Sequence, residues 1–594
     1  MRPARSVGLA RILLIVCAMA LLWTAIFLPT GWYEDLPQSR EDVPEPPIKG
    51  VSLVRLCFAI EGLLLLWWAV RAPRKGVSSA SVIQETPPLG SDLEHPVVWL
   101  TAITLLALVL RIYRLDSDLW LDEITTALNY REMSPLHILT AYISSNNHLL
   151  NTLLMKWSIS AFGPSENAIR LPAVCFGVLG IPAQYLLARI ALHRREAMAA
   201  AFLLAISYHH IFFSQNARGY TAFLLWASLG TFFFLRLLSR HRRSDQVFYV
   251  LSMFLCLASA LYGWFVFAGH VLVLGAVWLW LLRKRKSVIP WLKTPLASLA
   301  LLGLLGFHLN ASIVPQVYAY VGHVYRTQAT GYSAFSLELL RELNRGIAAG
   351  FGQSLLLAVA AGVVGVPAFF YCMKKRPVYF LTLVSPLFVT GGFLIVKGLQ
   401  VSPRFFAWGL PVTFLVVPMV AEGLGRSLAA SRLATIVPLR WVGQKGLLLL
   451  VTLAFCLLSA ASLPSYYRTP KQPTRESLQW VLDQMREGDV LATAYLAEWG
   501  LRFYGPSREL EEGKSFHVTR SAEALKQVEE ENVGKRIWLM STFSRALALD
   551  RPDLNQHIHD HYRPVRTFPA TVGDGEITVW VYARTVEEEK VTPI

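Results

Sequence analysis

Charge is what this sequence has least of. Only 16% of its 594 residues are Asp, Glu, Lys or Arg, against roughly 25% in soluble domains, while 54% are hydrophobic. That balance excludes a chain made only of water-soluble domains. Cysteine is also scarce: Cys17, Cys57, Cys175, Cys256, Cys372 and Cys456 all lie in apolar runs. Neither a disulfide framework nor a cysteine-built zinc site is indicated. No internal repeat shows at a short period or between halves, so the duplicated halves common in transporters are missing. The first apolar run, Leu9 to Leu28, follows Arg2 and Arg5 as a signal peptide would. It is long and lacks a small-residue cleavage site, so it is expected to stay as an anchor.

What the sequence has in abundance is apolar runs of membrane length. A span needs about 20 largely apolar residues, and candidates fall at 9–29, 51–71, 97–113, 167–192, 197–213, 220–239, 246–265, 267–282, 291–310, 353–372, 378–397, 405–421 and 446–464. The expected fold class is therefore a polytopic α-helical membrane protein with about 13 transmembrane helices. The 18 Trp and 21 Tyr suit two lipid–water interfaces.

Charge sign orders these runs. Residues 465–594 carry 17 Lys+Arg against 20 Asp+Glu, which leaves 39 basic against 20 acidic before them. A basic excess can mean nucleic acid, but here it sits in short clusters between apolar runs, so membrane orientation explains it and no nucleic-acid partner is expected. With Met1 in the cytoplasm, Arg71/Arg74/Lys75, Arg194/Arg195, Arg240/Arg242/Arg243, Arg283 to Lys286, Lys374/Lys375/Arg376 and Arg426 to Lys445 all fall inside. The acidic stretch Glu34 to Glu45 falls outside, and an odd number of spans puts the C-terminus outside too. Segment 142–162 is apolar enough to pass for a span, but its start, Ser144-Ser-Asn-Asn-His148, and Asn151 favour a helix along the interface.

Three regions follow: residues 1–96, an N-terminal hairpin and cytoplasmic linker; 97–464, a transmembrane domain; and 465–594, a small extracytoplasmic α/β domain. In the last, Thr474 is expected to cap an amphipathic helix with Leu478, Val481, Leu482 and Met485 on one face. Segments 536–541 and 576–583 read as strands, with a Gly573-Asp-Gly575 turn before the second. His557 and His561 are four apart on an expected helix, a chelating spacing with no further ligand evident.

The chemistry-bearing residues gather on the expected outer side. Leu119-Trp-Leu-Asp122-Glu123 places two adjacent carboxylates at a membrane surface, costly unless they meet a cation or a reacting proton; the alternative is an acidic first turn of a helix. Asn147-His148, Glu166-Asn-Ala-Ile-Arg170-Leu-Pro172, Ser214-Gln-Asn-Ala-Arg218-Gly-Tyr220 and Ser402-Pro-Arg404-Phe-Phe follow in order. Glu61 lies inside the second span with no evident partner. His209 and His210 are adjacent and point to different helix faces. Tyr318, Tyr320 and Tyr325 form an aromatic stripe in the loop 311–352, suited to the interface or to stacking on a sugar.

This ordered set resembles the bacterial membrane glycosyltransferases related to protein O-mannosyltransferases and the aminoarabinose transferase, the GT-C fold class, over roughly residues 95–425. The resemblance implies an enzyme of the bacterial inner membrane. It would move a sugar from a polyprenyl-phosphate carrier to the hydroxyl of a lipid, glycan or protein, with inversion at the anomeric carbon. By that analogy Asp122 is the general base, Glu123 orients it or helps hold a cation, and Arg404 meets the carrier phosphate. Arg218, His148 and Tyr220 complete the substrate cavity. This chain departs from the pattern at His148-Leu-Leu150, at Asn216 and at Tyr262-Gly-Trp264. Each change removes a ligand, so no cofactor is assigned and a divalent cation stays open. The alternative function is a transporter or flippase of lipid-linked saccharides, a class that carries interrupted spans near the midplane.

Overall fold

A computed structural model describes residues 3–30, 49–70, 93–144, 146–284, 289–327, 368–397, 403–430 and 444–582. Among these, seven helices are long and apolar enough to cross a membrane: Gly50–Trp67, Glu166–Ala188, Tyr220–Arg240, Gly263–Arg283, Trp291–Ala311, Pro377–Lys397 and Gly446–Arg468. An eighth is the pair Arg194–Ile206 and Tyr208–Ser214, if the 59° bend between them is counted as one broken span.

The expectation of about 13 spans is therefore corrected to seven or eight among the described residues. The reason is that an apolar run is not yet a spanning helix. Pro96–Ile112 is apolar but short. A helix of 17 residues such as Pro96–Ile112 extends about 25 Å, less than the roughly 30 Å hydrocarbon core. Arg243–Ser259, expected as 246–265, has the same length and opens on Arg243 and Asp245. Residues 353–367 of the 353–372 candidate lie outside the described residues. The last apolar helix, Gln444–Arg468, continues past the expected boundary at 465.

Buried polar groups explain local features of the helical part. Pro172, inside Glu166–Ala188, lacks the N–H that would bond the Ala168 carbonyl. Ser158 Oγ donates to that carbonyl instead, at 2.6 Å. The bend at Ser207 exposes helix-end carbonyls, and the fully buried Arg111 meets them: Nη1 donates to Ala205 O at 3.0 Å, and Nη2 lies 2.6 Å from His210 Nδ1. His210 is thus a structural partner. Glu61 has one too, His308 Nδ1 at 2.9 Å.

The C-terminal unit is a five-stranded sheet flanked by helices: β1 Val490–Ala494, β2 Phe516–Thr519, β3 Ile537–Thr542, β4 Tyr562–Phe568 and β5 Ile577–Tyr582, in the order β2-β1-β3-β5-β4. The first three pair in parallel, and β5 joins β3 and β4 antiparallel. Both expected strands are present as β3 and β5. The helix Thr474–Gln484 buries Leu478 and Val481 as its pattern requires, but Thr474 is its first residue, and the capping position is Pro473. His557 binds Glu529 at 2.9 Å and stacks on His561.

One apolar core joins the two parts. Leu119, Ile124 and Ala127 from the Asp122 segment, and Met155, Ile159, Ile169 and Ala217 from neighbouring helices, pack with Leu478, Leu501, Tyr504 and Val579 of the C-terminal unit. The helix that begins Leu121-Asp-Glu is therefore clamped between membrane helices and sheet domain.

Candidate active site

Asp122 and Glu123 open the helix Leu121–Tyr130, and successive helix positions send them in different directions. Glu123 points inward and is fully buried. Arg170 grips it with two parallel bonds, Nε to Oε1 at 2.8 Å and Nη2 to Oε2 at 2.6 Å, the fork geometry that makes guanidinium–carboxylate pairs strong. The Ala217 N–H donates to Oε1 at 2.8 Å, and Lys471 Nζ lies 3.5 Å from Oε2. The Trp120 N–H adds a long bond at 3.4 Å, the return half of a capping box. Burial raises the Glu123 pKa, but Arg170 and Lys471 outweigh it and hold the carboxyl down to about 2. Burial and the neighbouring Arg170 push Lys471 down to about 7, with Glu123 pulling the other way.

The rest of Arg170 fixes the preceding turn. Nη1 donates to Leu115 O at 2.9 Å and Ser117 O at 2.6 Å, and Nη2 to Asp118 O at 2.9 Å. One guanidinium thus ties helix Glu166–Ala188, the 115–118 turn and the first turn of the Asp122 helix together.

Asp122 is less enclosed, with 18% of its side chain exposed. Oδ2 binds Arg218 Nη1 and lies 3.7 Å from Arg404 Nη1. Among the described residues Oδ1 meets one long contact, Asn146 Nδ2 at 3.4 Å. Behind Arg218 sits His148, fully enclosed. Its Nε2 accepts from Arg218 Nε at 3.3 Å and its Nδ1 lies 3.0 Å from Ser259 O. Burial and the adjacent Arg218 lower the His148 pKa to about 3, so the ring is neutral at physiological pH. The geometry then assigns Nδ1–H as donor to Ser259 O and Nε2 as acceptor. Gly219 permits this approach, because a Cβ there would lie 2.2 Å from Ser259 O and 2.9 Å from His148 Cβ. The Tyr220 ring lies under Arg218, its centroid 5.2 Å from the guanidinium carbon, and among the described residues the buried Tyr220 hydroxyl has no hydrogen-bond partner.

All six sequence-derived site residues thus converge on one region. Asp122, Arg218, Arg404, His148 and Tyr220 form one connected cluster, and Glu123 sits behind it in the Arg170 pocket. Arg404 lies on the short 3-10 helix Pro403–Phe406 and is 39% exposed, the most open of the cations. Among the described residues no three His, Cys, Asp or Glu side chains gather as a metal-binding group. Two guanidiniums already face Asp122, and their charge opposes a divalent cation there. The residues at Asp122 do not fit a metal site.

Sequence reading missed Arg170 and Lys471 as site residues, as well as the contribution of the C-terminal domain. Arg170 carried a signal, since an arginine at the start of an apolar span needs a buried partner. Lys471 stands in a polar connector and carried none. The domain clasps the loop directly: Tyr504 Oη accepts from the Leu119 N–H at 2.8 Å, Gln472 Oε1 from the Leu121 N–H at 2.9 Å, and Arg475 Nε donates to Asp118 Oδ1 at 2.5 Å. Tyr504→Phe leaves a buried N–H unpaired, an expected loss of about 1–3 kcal/mol measurable in denaturant melts of the full chain. A melt unchanged within 0.5 kcal/mol, roughly the scatter for neutral surface changes, would show that the clasp contributes nothing.

Comparison with known families finds one matching model, dolichyl-phosphate-mannose-protein mannosyltransferase, over residues 149–313. That stretch contains His148's helix, Arg170 and Arg218 but not Asp122 or Arg404. No curated protein matches the sequence. Among solved structures, the chain is similar to ArnT from Cupriavidus metallidurans bound to undecaprenyl phosphate, at 14% identity, over 82% of this chain and 97% of that one, with a TM-score of 0.47. It is also similar to the archaeal oligosaccharyltransferase AglB from Archaeoglobus fulgidus in complex with an inhibitory peptide and a dolichol-phosphate. That match has 14% identity over 84% of this chain and 75% of that one, with a TM-score of 0.46.

Proposed function

We propose that the protein is a membrane glycosyltransferase that moves a sugar from a polyprenyl-phosphate carrier to an acceptor hydroxyl at the outer membrane face. The observation that carries this reading is Asp122: a partly exposed carboxylate faced by two arginines on one oxygen. Matching of residues 149–313 to a family described by lipid-phosphate mannosyl transfer agrees with it. The domain limits 97–464 and 465–594 and the outward orientation belong to the same proposal.

The arrangement divides the work. Asp122 Oδ1, met by Asn146 Nδ2 at 3.4 Å, is the oxygen placed to take the proton from an attacking hydroxyl as the new glycosidic bond forms. Negative charge builds on the departing phosphate oxygens, and guanidiniums stabilise it. Arg404, 3.7 Å from Asp122 Oδ2 and partly exposed, is placed to meet the carrier phosphate. Arg218 stays fixed between Asp122 and neutral His148. Glu123, closed off by Arg170, holds the helix start and so the direction of Asp122. His148 orients Arg218 through Nε2, and Tyr220 supports its face. Direct displacement of this kind inverts the anomeric carbon.

Arg404 tests the donor class. Lysine keeps the charge but loses the two-pronged fork that matches phosphate, so Arg404→Lys should retain partial activity and Arg404→Ala almost none. Donor binding and single-turnover rate on folded protein should both fall. If Arg404→Ala leaves both unchanged, Arg404 is only a surface anchor and the phosphate assignment loses its cation.

Orientation has its own test. Ser507 lies exposed in the C-terminal domain, so Ser507→Cys should react with an impermeant thiol reagent in intact cells. Reaction only after permeabilisation would turn the Asp122 site to the cytoplasm and contradict outer-face transfer.

A further inference from the structure

At the far end of the helices from Asp122, the structure opens a cavity of about 360 Å³. Arg189, Arg194, Arg236 and Arg240 line it together with Tyr185 and Phe232. Its position follows from the helices that build it. Arg240 ends the helix that Tyr220 begins, and Arg189 caps the helix that Glu166 begins. The 21 residues of Tyr220–Arg240 extend about 30 Å, one hydrocarbon thickness. The cavity therefore lies about one bilayer core away from the Asp122 cluster.

The lining is chemically lopsided. Among the described residues it holds four arginines and no carboxylate. Asp245, beneath it and 1% exposed, binds Arg236 Nε at 2.9 Å. Arg189 Nη1 donates to Leu192 O at 2.5 Å, and the Arg236 guanidinium lies 5.3 Å from the Phe232 ring centroid. Two of the cations are thus held in place while the lining keeps a net positive charge. The other half of the wall is apolar, and Leu186 at its edge is 40% exposed on a membrane-length helix.

Basic residues at the ends of spans ordinarily reach outward to water. Here four from three helices converge on one cavity with an aliphatic edge. We propose that this cavity binds the phosphate headgroup of an anionic phospholipid from the leaflet opposite the Asp122 site, with an acyl chain along Leu186. Basic pockets between membrane helices suit that chemistry. The apolar wall favours a lipid over free phosphate.

The test uses the purified full chain in neutral detergent, titrated by native mass spectrometry with dioleoyl phosphatidylglycerol, dioleoyl phosphatidylcholine and inorganic phosphate separately. Phosphatidylglycerol should bind at least ten-fold more tightly than phosphatidylcholine. Arg194→Gln combined with Arg240→Gln should weaken it by about twenty-five-fold, two charges at roughly five-fold each. Lys374→Gln combined with Lys375→Gln, equal in charge but outside the cavity, should change it less than two-fold. Equal losses in both double variants would reduce the effect to diffuse surface charge and overturn the proposal. Inorganic phosphate binding as tightly as the lipid, with the same variant dependence, would overturn it in favour of a soluble anion. Arg240→Gln alone, at an exposed helix end, gives the same reading at about five-fold if the double variant does not fold.

Discussion

Asp122→Asn should lower turnover by about 10²–10⁴ if the carboxylate is the general base, with folding and carrier-lipid binding preserved. The amide keeps the shape and can still accept from Arg218 through its oxygen, so the helix start is undisturbed. What it loses is the ability to take a proton at the position of Oδ1, the oxygen that Asn146 Nδ2 meets at 3.4 Å. It also loses the negative charge that holds Arg218 and Arg404 together. Donor binding separates these two effects. A fall in turnover alone marks a base, whereas a matching fall in donor affinity marks an organiser of the arginines. Activity within a few-fold of wild type would remove Asp122 from the mechanism.

Glu123→Gln should behave differently although the residues are neighbours. The change leaves Arg170 and Lys471 buried without their counter-charge, and breaking such a pair on one side costs about 3–5 kcal/mol. Most domains have only about 5–15 kcal/mol in all, so the variant should express poorly and melt early, with specific activity in the folded fraction falling less than for Asp122→Asn. Acid gives the same answer without mutation. The folded Glu123 holds its proton near pH 2, below the ordinary 4.5. Its contribution is therefore complete above about pH 4.5 and should be lost as the pH falls from there toward 2. Glu123→Gln should flatten that part of the wild-type stability profile. A variant as stable as wild type, but inactive, would move Glu123 into the chemistry.

Much of this was legible in the sequence for a physical reason. A charged residue is costly near lipid, so Asp122, Glu123, Arg218 and Arg404 stand out against an apolar background. Alternation through Val579 and Val581 announced β5 in the same direct way. Helix length was not legible, because an apolar run continues across a bend such as Ser207, where local capping and Arg111 decide the path. Nor was the division of labour between Asp122 and Glu123. Both are acids in a first turn, and only the position of Arg170, 47 residues on, shows which one is buried. Lys471, Gln472, Arg475 and Tyr504 reach the site from more than 300 residues away, a distance no local pattern spans. The mirror case is Thr474, where a good capping residue lies one position inside the helix because the Pro473 turn sets the start.

The central claim is that this site cleaves the bond between a sugar and a polyprenyl phosphate. The direct measurement is release of free polyprenyl phosphate from a panel of polyprenyl-phosphate sugars by purified wild-type protein, with acceptor-containing membranes from the source cell. Release is expected with at least one sugar, linked to appearance of the sugar on an acceptor and lowered by about 10²–10⁴ in Asp122→Asn. Intact donor throughout, together with movement of the whole lipid-linked sugar between leaflets in proteoliposomes, would contradict transfer and establish a flippase.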